Sequence, residues 1–168
     1  EMEGLEIRDF EIVTEGLQIH LRRSKRDQEG RGYTKGVAYG SQLATCPVRA
    51  WQAWLKLYGA TSGAAFPSAT RYGAIKGDVA GIAKPIDGRA IAEMIQRRVV
   101  IAGLADEEPK HEWGGHSPRR GFATEAYAND SSEREIMKQG GWTSPAVMRG
   151  YAEDGGIWKH NASMNLGL

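Results

Sequence analysis

The chain has 168 residues, with 40% hydrophobic and 26% charged side chains, and a formal net charge of +1 from 22 Lys+Arg against 21 Asp+Glu. That length makes one compact domain the expectation, the composition excludes disordered and fibrous classes, and the near-neutral balance removes any global electrostatic argument for a polyanionic partner. No apolar run approaches the roughly 18 residues of a membrane span, the opening EMEGLEIRDF lacks the regions of a signal peptide, and the single Cys46 excludes an internal disulfide, so a cytoplasmic chain is expected.

At the start of the chain, Met2 and Leu5 stand three apart with no capping residue before them and read as the tail of a helix. Residues 7–13, 17–22 and 33–39 carry alternating or β-branched side chains and predict three short strands, the first two joined tightly through Thr14, Glu15 and Gly16. The second and third are joined by a long loop in which Arg22, Arg23, Lys25, Arg26, Arg31 and Lys35 face only Asp27 and Glu29. By charge alone this is a solvated hairpin tip.

A helix then starts after Thr45 or Cys46, with Pro47 at a position where its missing N–H costs nothing. Val48, Trp51, Leu55 and Tyr58 share one face, and Gly59 ends the run. Residues 60–85 are rich in Gly, Ala and Ser and predict a loop with a short helical turn. Asp87 caps a second helix with an apolar stripe of Ile91, Ile95, Val99 and Ala102, ending near Gly103.

Residues 104–115 read as a connector. Three short helices follow: one capped by Ser117 with Phe122, Ala123 and Ala126 inward, one opened by a Ser132–Glu135 capping box and closed at Gly140-Gly141, and one starting at Ser144-Pro145. The tail, with Ile157, Trp158, Met164, Leu166 and Leu168, either packs back on the domain or inserts into a neighbouring subunit. The fold class expected is α+β and mainly helical, a small three-stranded antiparallel sheet beside a helical core, with residues 1–168 as one domain.

Phosphate-loop, zinc-protease and nucleophile-elbow motifs are absent from the sequence. The segment His116-Ser117-Pro118-Arg119-Arg120 instead places an imidazole and two guanidinium groups at a helix start, where backbone N–H groups and the positive dipole end favour an anion. Taken singly, Trp142 reads as a packing residue and Tyr151 as the edge of an apolar face.

Together these elements resemble the catalytic domain of the tyrosine recombinases, or phage integrases. His116 and Arg119 match the family's His-x-x-Arg, Gly141-Trp142 matches its Gly-His or Gly-Trp pair, Tyr151 stands nine places beyond Trp142, and Lys25 lies where the hairpin lysine belongs. The resemblance spans essentially the whole chain. It implies a first catalytic arginine three places before Glu1 and a companion DNA-binding domain, both outside this chain. Trp142 stands in place of the commoner histidine, as in Cre-like members.

The resemblance implies site-specific recombination of double-stranded DNA through a 3′-phosphotyrosine, with Tyr151 as nucleophile and Arg119, His116 and Trp142 around the phosphate. Lys25 would protonate the leaving 5′-oxygen, and Arg22, Arg23, Arg26 and Arg120 would hold backbone phosphates. No metal or other cofactor is implied, and the active assembly would be a homotetramer exchanging C-terminal segments on DNA. Two other readings use the same residues: a type IB topoisomerase-like nicking and closing enzyme, and a DNA-binding module without catalysis.

Overall fold

A computed structural model describes residues 2–22, 32–77, 81–104 and 113–152. The described elements are three strands, β1 (Phe10–Val13), β2 (Gly16–Leu21) and β3 (Tyr33–Ala38), and five helices, α1 (Pro47–Tyr58), α2 (Gly88–Ile101), α3 (Ser117–Ala128), α4 (Glu133–Gly140) and α5 (Pro145–Ala152). This is the expected α+β class. The chain divides into two compact units, Glu1–Ile91 and Ala92–Leu168. No helix among the described residues is long and apolar enough to cross a membrane.

In the first unit the sheet has the order β1-β2-β3 and is antiparallel throughout. Val13 pairs with Gly16, so Thr14 and Glu15 form the tight turn, and a Cβ on Gly16 would run into the Val37 carbonyl oxygen. Strand periodicity divides β2 cleanly: Leu17 and Leu21 are buried while Gln18 and His20 face water. Leu17, with the half-buried Ile19 on the same face, packs against α1, whose Val48 and Trp51 are buried. Phe10 of β1 stacks on Trp51 at 4.1 Å, and Phe66 closes an aromatic triangle with centroids 5.8 Å from both rings. Offset and edge contacts of this kind add to what burial alone contributes.

Helix α1 follows the expectation closely. Cys46 occupies the N-cap, Pro47 opens the helix, and Gly59 ends it in the left-handed conformation (φ 70°), where a side chain would be strained. The Cys46 Sγ accepts from the Gly40 N–H at 3.2 Å.

Three expectations for this unit fail locally. Residues 2–5 form only a 3-10 turn, Met2–Gly4, and not the end of an α-helix. The first strand begins at Phe10 because Ile7–Asp9 is wound into a second 3-10 turn, pinned by the Glu6 N–H donating to Asp9 Oδ2 at 2.8 Å. Described residues of the stretch 60–85 contain no helical turn. They fold back on themselves through the isolated bridges Pro67↔Pro85, Ala69↔Ile75 and Gly77↔Ala83, because Gly, Pro and Ser disfavour a helix while the chain still satisfies its backbone groups by pairing.

Helix α2 straddles the unit boundary and behaves as expected: Asp87 Oδ1 accepts from the Ala90 N–H at 2.7 Å, and Gly103 (φ 74°) ends it. In the second unit α3, α4 and α5 enclose a small core of Ala123, Ile136, Trp142, Met148 and Ala152. The capping box is present on α4, with Ser132 N–H donating to Glu135 Oε2 at 2.8 Å and Glu135 N–H donating to Ser132 Oγ at 3.3 Å. Helix α3 starts one residue earlier than the sequence indicates. His116 is its cap, and the Ser117 hydroxyl accepts backward from the Gly114 N–H at 2.9 Å. Phe122 is not inward as expected. It is 36% exposed and uses one ring face.

Candidate active site

Two glycines place Trp142. Gly141 takes the left-handed conformation (φ 71°) that terminates α4, and the N–H groups of Gly141 and Trp142 both reach the Met137 carbonyl, which turns the chain back on the helix. Gly140 lies against the indole, so closely that a Cβ there would overlap the six-membered ring. The Gly140-Gly141-Trp142 motif is thus a helix stop that seats an indole on its own last turn.

The buried indole is a hub. Phe122 lies parallel to it at 6.4 Å and 9°, Tyr151 approaches it from α5 at 5.9 Å and 42°, and the Arg119 guanidinium sits 4.4 Å from its centroid. Arg119 Nη2 also donates to the Gly141 carbonyl at 3.4 Å. A guanidinium stacked on an aromatic face keeps its N–H edge for other acceptors, because the face contact uses no donor. Arg119 and Phe122 meet the same ring because they stand three apart on α3.

His116 is exposed, one helical turn before Arg119. Its carbonyl accepts from the N–H groups of Arg119 and Arg120 at 3.1 and 3.0 Å, and Ser117 N–H donates to the Gly114 carbonyl at 3.0 Å. Pro118 has no N–H, so the first backbone donors of α3 are already engaged. What this helix start offers an anion is the side chains and the dipole, rather than the free backbone N–H groups expected from the sequence.

Tyr151 is half-buried beside Trp142. Two ties hold its turn of α5: the Thr124 hydroxyl donates to the Tyr151 carbonyl at 2.8 Å, and Arg149 makes a two-pronged ion pair with Glu133 of α4, Nε to Oε1 at 2.7 Å and Nη2 to Oε2 at 2.9 Å. The Arg149 hydrogen bonds hold the Glu133 carboxyl below its ordinary range. Thr124, Glu133 and Arg149 belong to this frame with Phe122, and these three carry no sequence signal for it, because their partners lie 16 or 27 positions away. The spacing of Phe122 from Arg119 is the one local hint.

Arg22, expected from the sequence to contact phosphate, lies in the first unit with its Nη2 at 2.8 Å from Asp9 Oδ2 and 3.2 Å from Glu6 Oε1, and it donates to the Gly4 carbonyl at 3.2 Å. Asp9 is the one buried charged residue among those described, and its hydrogen bond to Arg22 is the main reason the guanidinium holds its proton more tightly than usual. In this structure Arg22 anchors the end of β2 to the turns before β1. Lys25, Arg23 and Arg26, the connector residues 105–112 and the tail 153–168 lie outside the described residues. Arg120 is exposed on α3.

The structure therefore gathers Arg119, Trp142 and Tyr151 around one ring, with His116 at the head of the same helix as Arg119. No family model matches the chain. Over 162 residues, 96% of its length, the chain is 32% identical to a protein of Selenomonas ruminantium described as an integrase/recombinase xerD homolog, of which it spans 45%. It thus covers less than half the length of that relative.

Proposed function

We propose that this chain is the catalytic part of a tyrosine recombinase, which cuts and rejoins double-stranded DNA at specific sites. The convergence of Arg119, Trp142 and Tyr151 from three separate segments carries the reading, and the similarity to an integrase/recombinase homolog over 96% of the chain supports it.

In the proposed reaction the Tyr151 phenolate oxygen attacks a backbone phosphorus, the bond from phosphorus to the 5′-oxygen breaks, and a 3′-phosphotyrosine forms. The attacking hydroxyl must give up its proton as the new bond forms, and His116 is the assigned acceptor. The departing 5′-oxygen needs a proton, assigned to Lys25 because an amine can titrate in a site whereas the neighbouring arginines stay charged. Attack by a 5′-hydroxyl reverses every step, and because one phosphate ester replaces another no nucleotide hydrolysis is needed.

Charge builds on the non-bridging phosphate oxygens in the transition state, so fixed donors there accelerate the step. Arg119 is suited to this by its stacking, which removes most of its rotational freedom before substrate arrives. The indole N–H of Trp142 is the second assigned donor. It can donate but cannot exchange a proton as a histidine would. Arg23, Arg26 and Arg120 are assigned to flanking phosphates, with the remaining donors of Arg22 beside them. The assembly proposed on DNA is a homotetramer that exchanges C-terminal segments.

The test is covalent capture. The full-length protein is incubated with a pool of nicked duplexes of randomised sequence, and adducts are recovered under denaturing conditions. Wild-type protein is expected to attach at one sequence family, and Tyr151→Phe to bind the same duplexes without attaching. An unchanged yield with Tyr151→Phe overturns the nucleophile. Binding by wild-type protein without any adduct favours a non-catalytic module, and plasmid relaxation without joining of two sites favours a topoisomerase-like activity.

A further inference from the structure

The segment after α1 leaves the core of the first unit and returns to it as an arm. Its root is fixed: Ala65 and Pro67 are buried, Phe66 belongs to the aromatic triangle, and Trp54 Nε1 donates to the Ala65 carbonyl at 2.9 Å. Beyond the root every residue from 69 to 77 is exposed, yet the backbone is ordered by its own bonds. Ser68 N–H donates to the Lys84 carbonyl at 2.7 Å, Lys76 N–H to the Ser68 carbonyl at 2.8 Å and Lys84 N–H to the Lys76 carbonyl at 2.8 Å. At the tip Thr70 N–H donates to the Ala74 carbonyl, and the Thr70 hydroxyl oxygen accepts from the N–H groups of Tyr72 and Ala74.

Two features of this arm work against its own stability. Lys76 and Lys84, both exposed, are bonded backbone to backbone, and like charges on neighbouring extended segments repel. Tyr72 is 80% exposed, its ring covered on one side by the Arg71 guanidinium at 4.6 Å. Across residues 60–86 the sequence has Arg71, Lys76 and Lys84 against the single acid Asp78, on a chain whose overall charge is only +1. An anion near the two ammonium groups would relieve their repulsion. A guanidinium already held over a ring, with Nη2 donating to the Tyr72 hydroxyl, gives up little freedom when its remaining donors take a phosphate.

We infer that this arm is a second DNA-binding surface, in which Arg71, Lys76 and Lys84 hold backbone phosphates of the duplex and Tyr72 supports Arg71 and packs on the sugar-phosphate surface. The inference rests on the recombinase reading for its ligand. The arm carries none of the residues assigned to chemistry, so it acts on affinity and leaves the strand-cutting step unaltered. Contacts to phosphate position a protein without reading sequence.

The experiment measures binding of the full-length protein to a random-sequence duplex at several salt concentrations, beside the rate of adduct formation at saturating protein on the randomised nicked pool of the covalent capture. The Arg71→Ala/Lys76→Ala/Lys84→Ala variant is expected to bind more weakly and to lower the slope of log affinity against log salt by about 0.9 for each phosphate that is no longer neutralised. Its adduct rate at saturation should equal that of wild type. Tyr72→Ala should weaken binding with little change in slope, and thermal unfolding of both variants checks that they fold.

An unchanged affinity and slope in the triple variant overturns the inference and assigns the arm to a protein surface or to solvent. A lower adduct rate at saturation overturns it in another way, by placing the arm in the chemistry. If wild-type protein binds the random-sequence duplex but attaches to no member of the nicked pool, the recombinase reading falls while the salt slopes still decide the arm.

Discussion

At the residue scale the candidate site turns on Trp142, which serves both as the packing centre of the second unit and as an assigned phosphate donor. Truncation to alanine would confound the two roles, because emptying a buried indole site costs about 3–5 kcal/mol. Trp142→Phe separates them. It retains a ring for Arg119, Phe122 and Tyr151 and removes the N–H together with part of the indole's volume, a much smaller void than alanine leaves. We expect a folded protein whose adduct formation falls by roughly 10²–10³, the usual cost of one preorganised donor. Wild-type adduct rates in that variant would take the indole out of the cradle. Gly140 offers a structural check on the same ring. Alanine is a better helix former than glycine by about 1 kcal/mol, but its methyl would overlap the indole, and overpacking costs about 1–3 kcal/mol. Gly140→Ala is therefore expected to lose stability in urea unfolding, and a gain would mean that the ring is not seated on this turn.

At the element scale the question is what holds α5, the helix that carries Tyr151. Its last turn is tied to α3 through Thr124 and to α4 through the Glu133–Arg149 pair. Glu133 is depressed in the folded protein mainly by hydrogen bonds from Arg149, so the pair contributes at pH values above the ordinary carboxylate range and its contribution disappears as acid protonates the folded form. Glu135 behaves in the same direction through its bonds to Ser132. Stability should therefore fall from about pH 5 downward, and Glu133→Gln should flatten part of that fall. An acid limb identical to wild type would show that the pair adds nothing, as exposed ion pairs often do.

The elements were legible in the sequence wherever a local signal specified them. Pro47 with Gly59, Asp87 with Gly103, and Ser132–Glu135 with Gly141 each mark a helix end by backbone chemistry that acts within four or five residues. The signal failed where a partner distant along the chain decided the outcome. Residues 7–9 alternate like a strand but are wound by the Asp9 carboxylate, which Arg22 holds from 13 positions away. Residues 60–85 show no periodicity, yet they pair across 6 to 18 positions.

For the whole molecule the proposed chemistry makes the positive charge at the phosphate a property of the polypeptide. Arginines and an indole N–H supply what a divalent ion supplies in other phosphoryl-transfer sites. Adduct formation by the full-length protein is accordingly expected to continue in EDTA at an unchanged rate, and its abolition on chelation, with recovery on adding a metal, would overturn this account. The near-neutral net charge carries a second consequence. On the proposed function, this chain's share of the attraction to DNA would come from local clusters such as the loop that contains Lys25 and the arm that bears Arg71.

From the sequence alone came the α+β class, most helix boundaries, and the residues assigned to chemistry, because caps, glycine stops and motif spacing act over a few residues and survive in one dimension. Only the tertiary structure decided that Arg22 spends Nη2 on Asp9, that the backbone donors at the head of α3 are already engaged, and that Arg119, Phe122 and Tyr151 share one indole. Those outcomes depend on which groups compete for the same donor or ring face, and that competition is settled only when distant segments pack together.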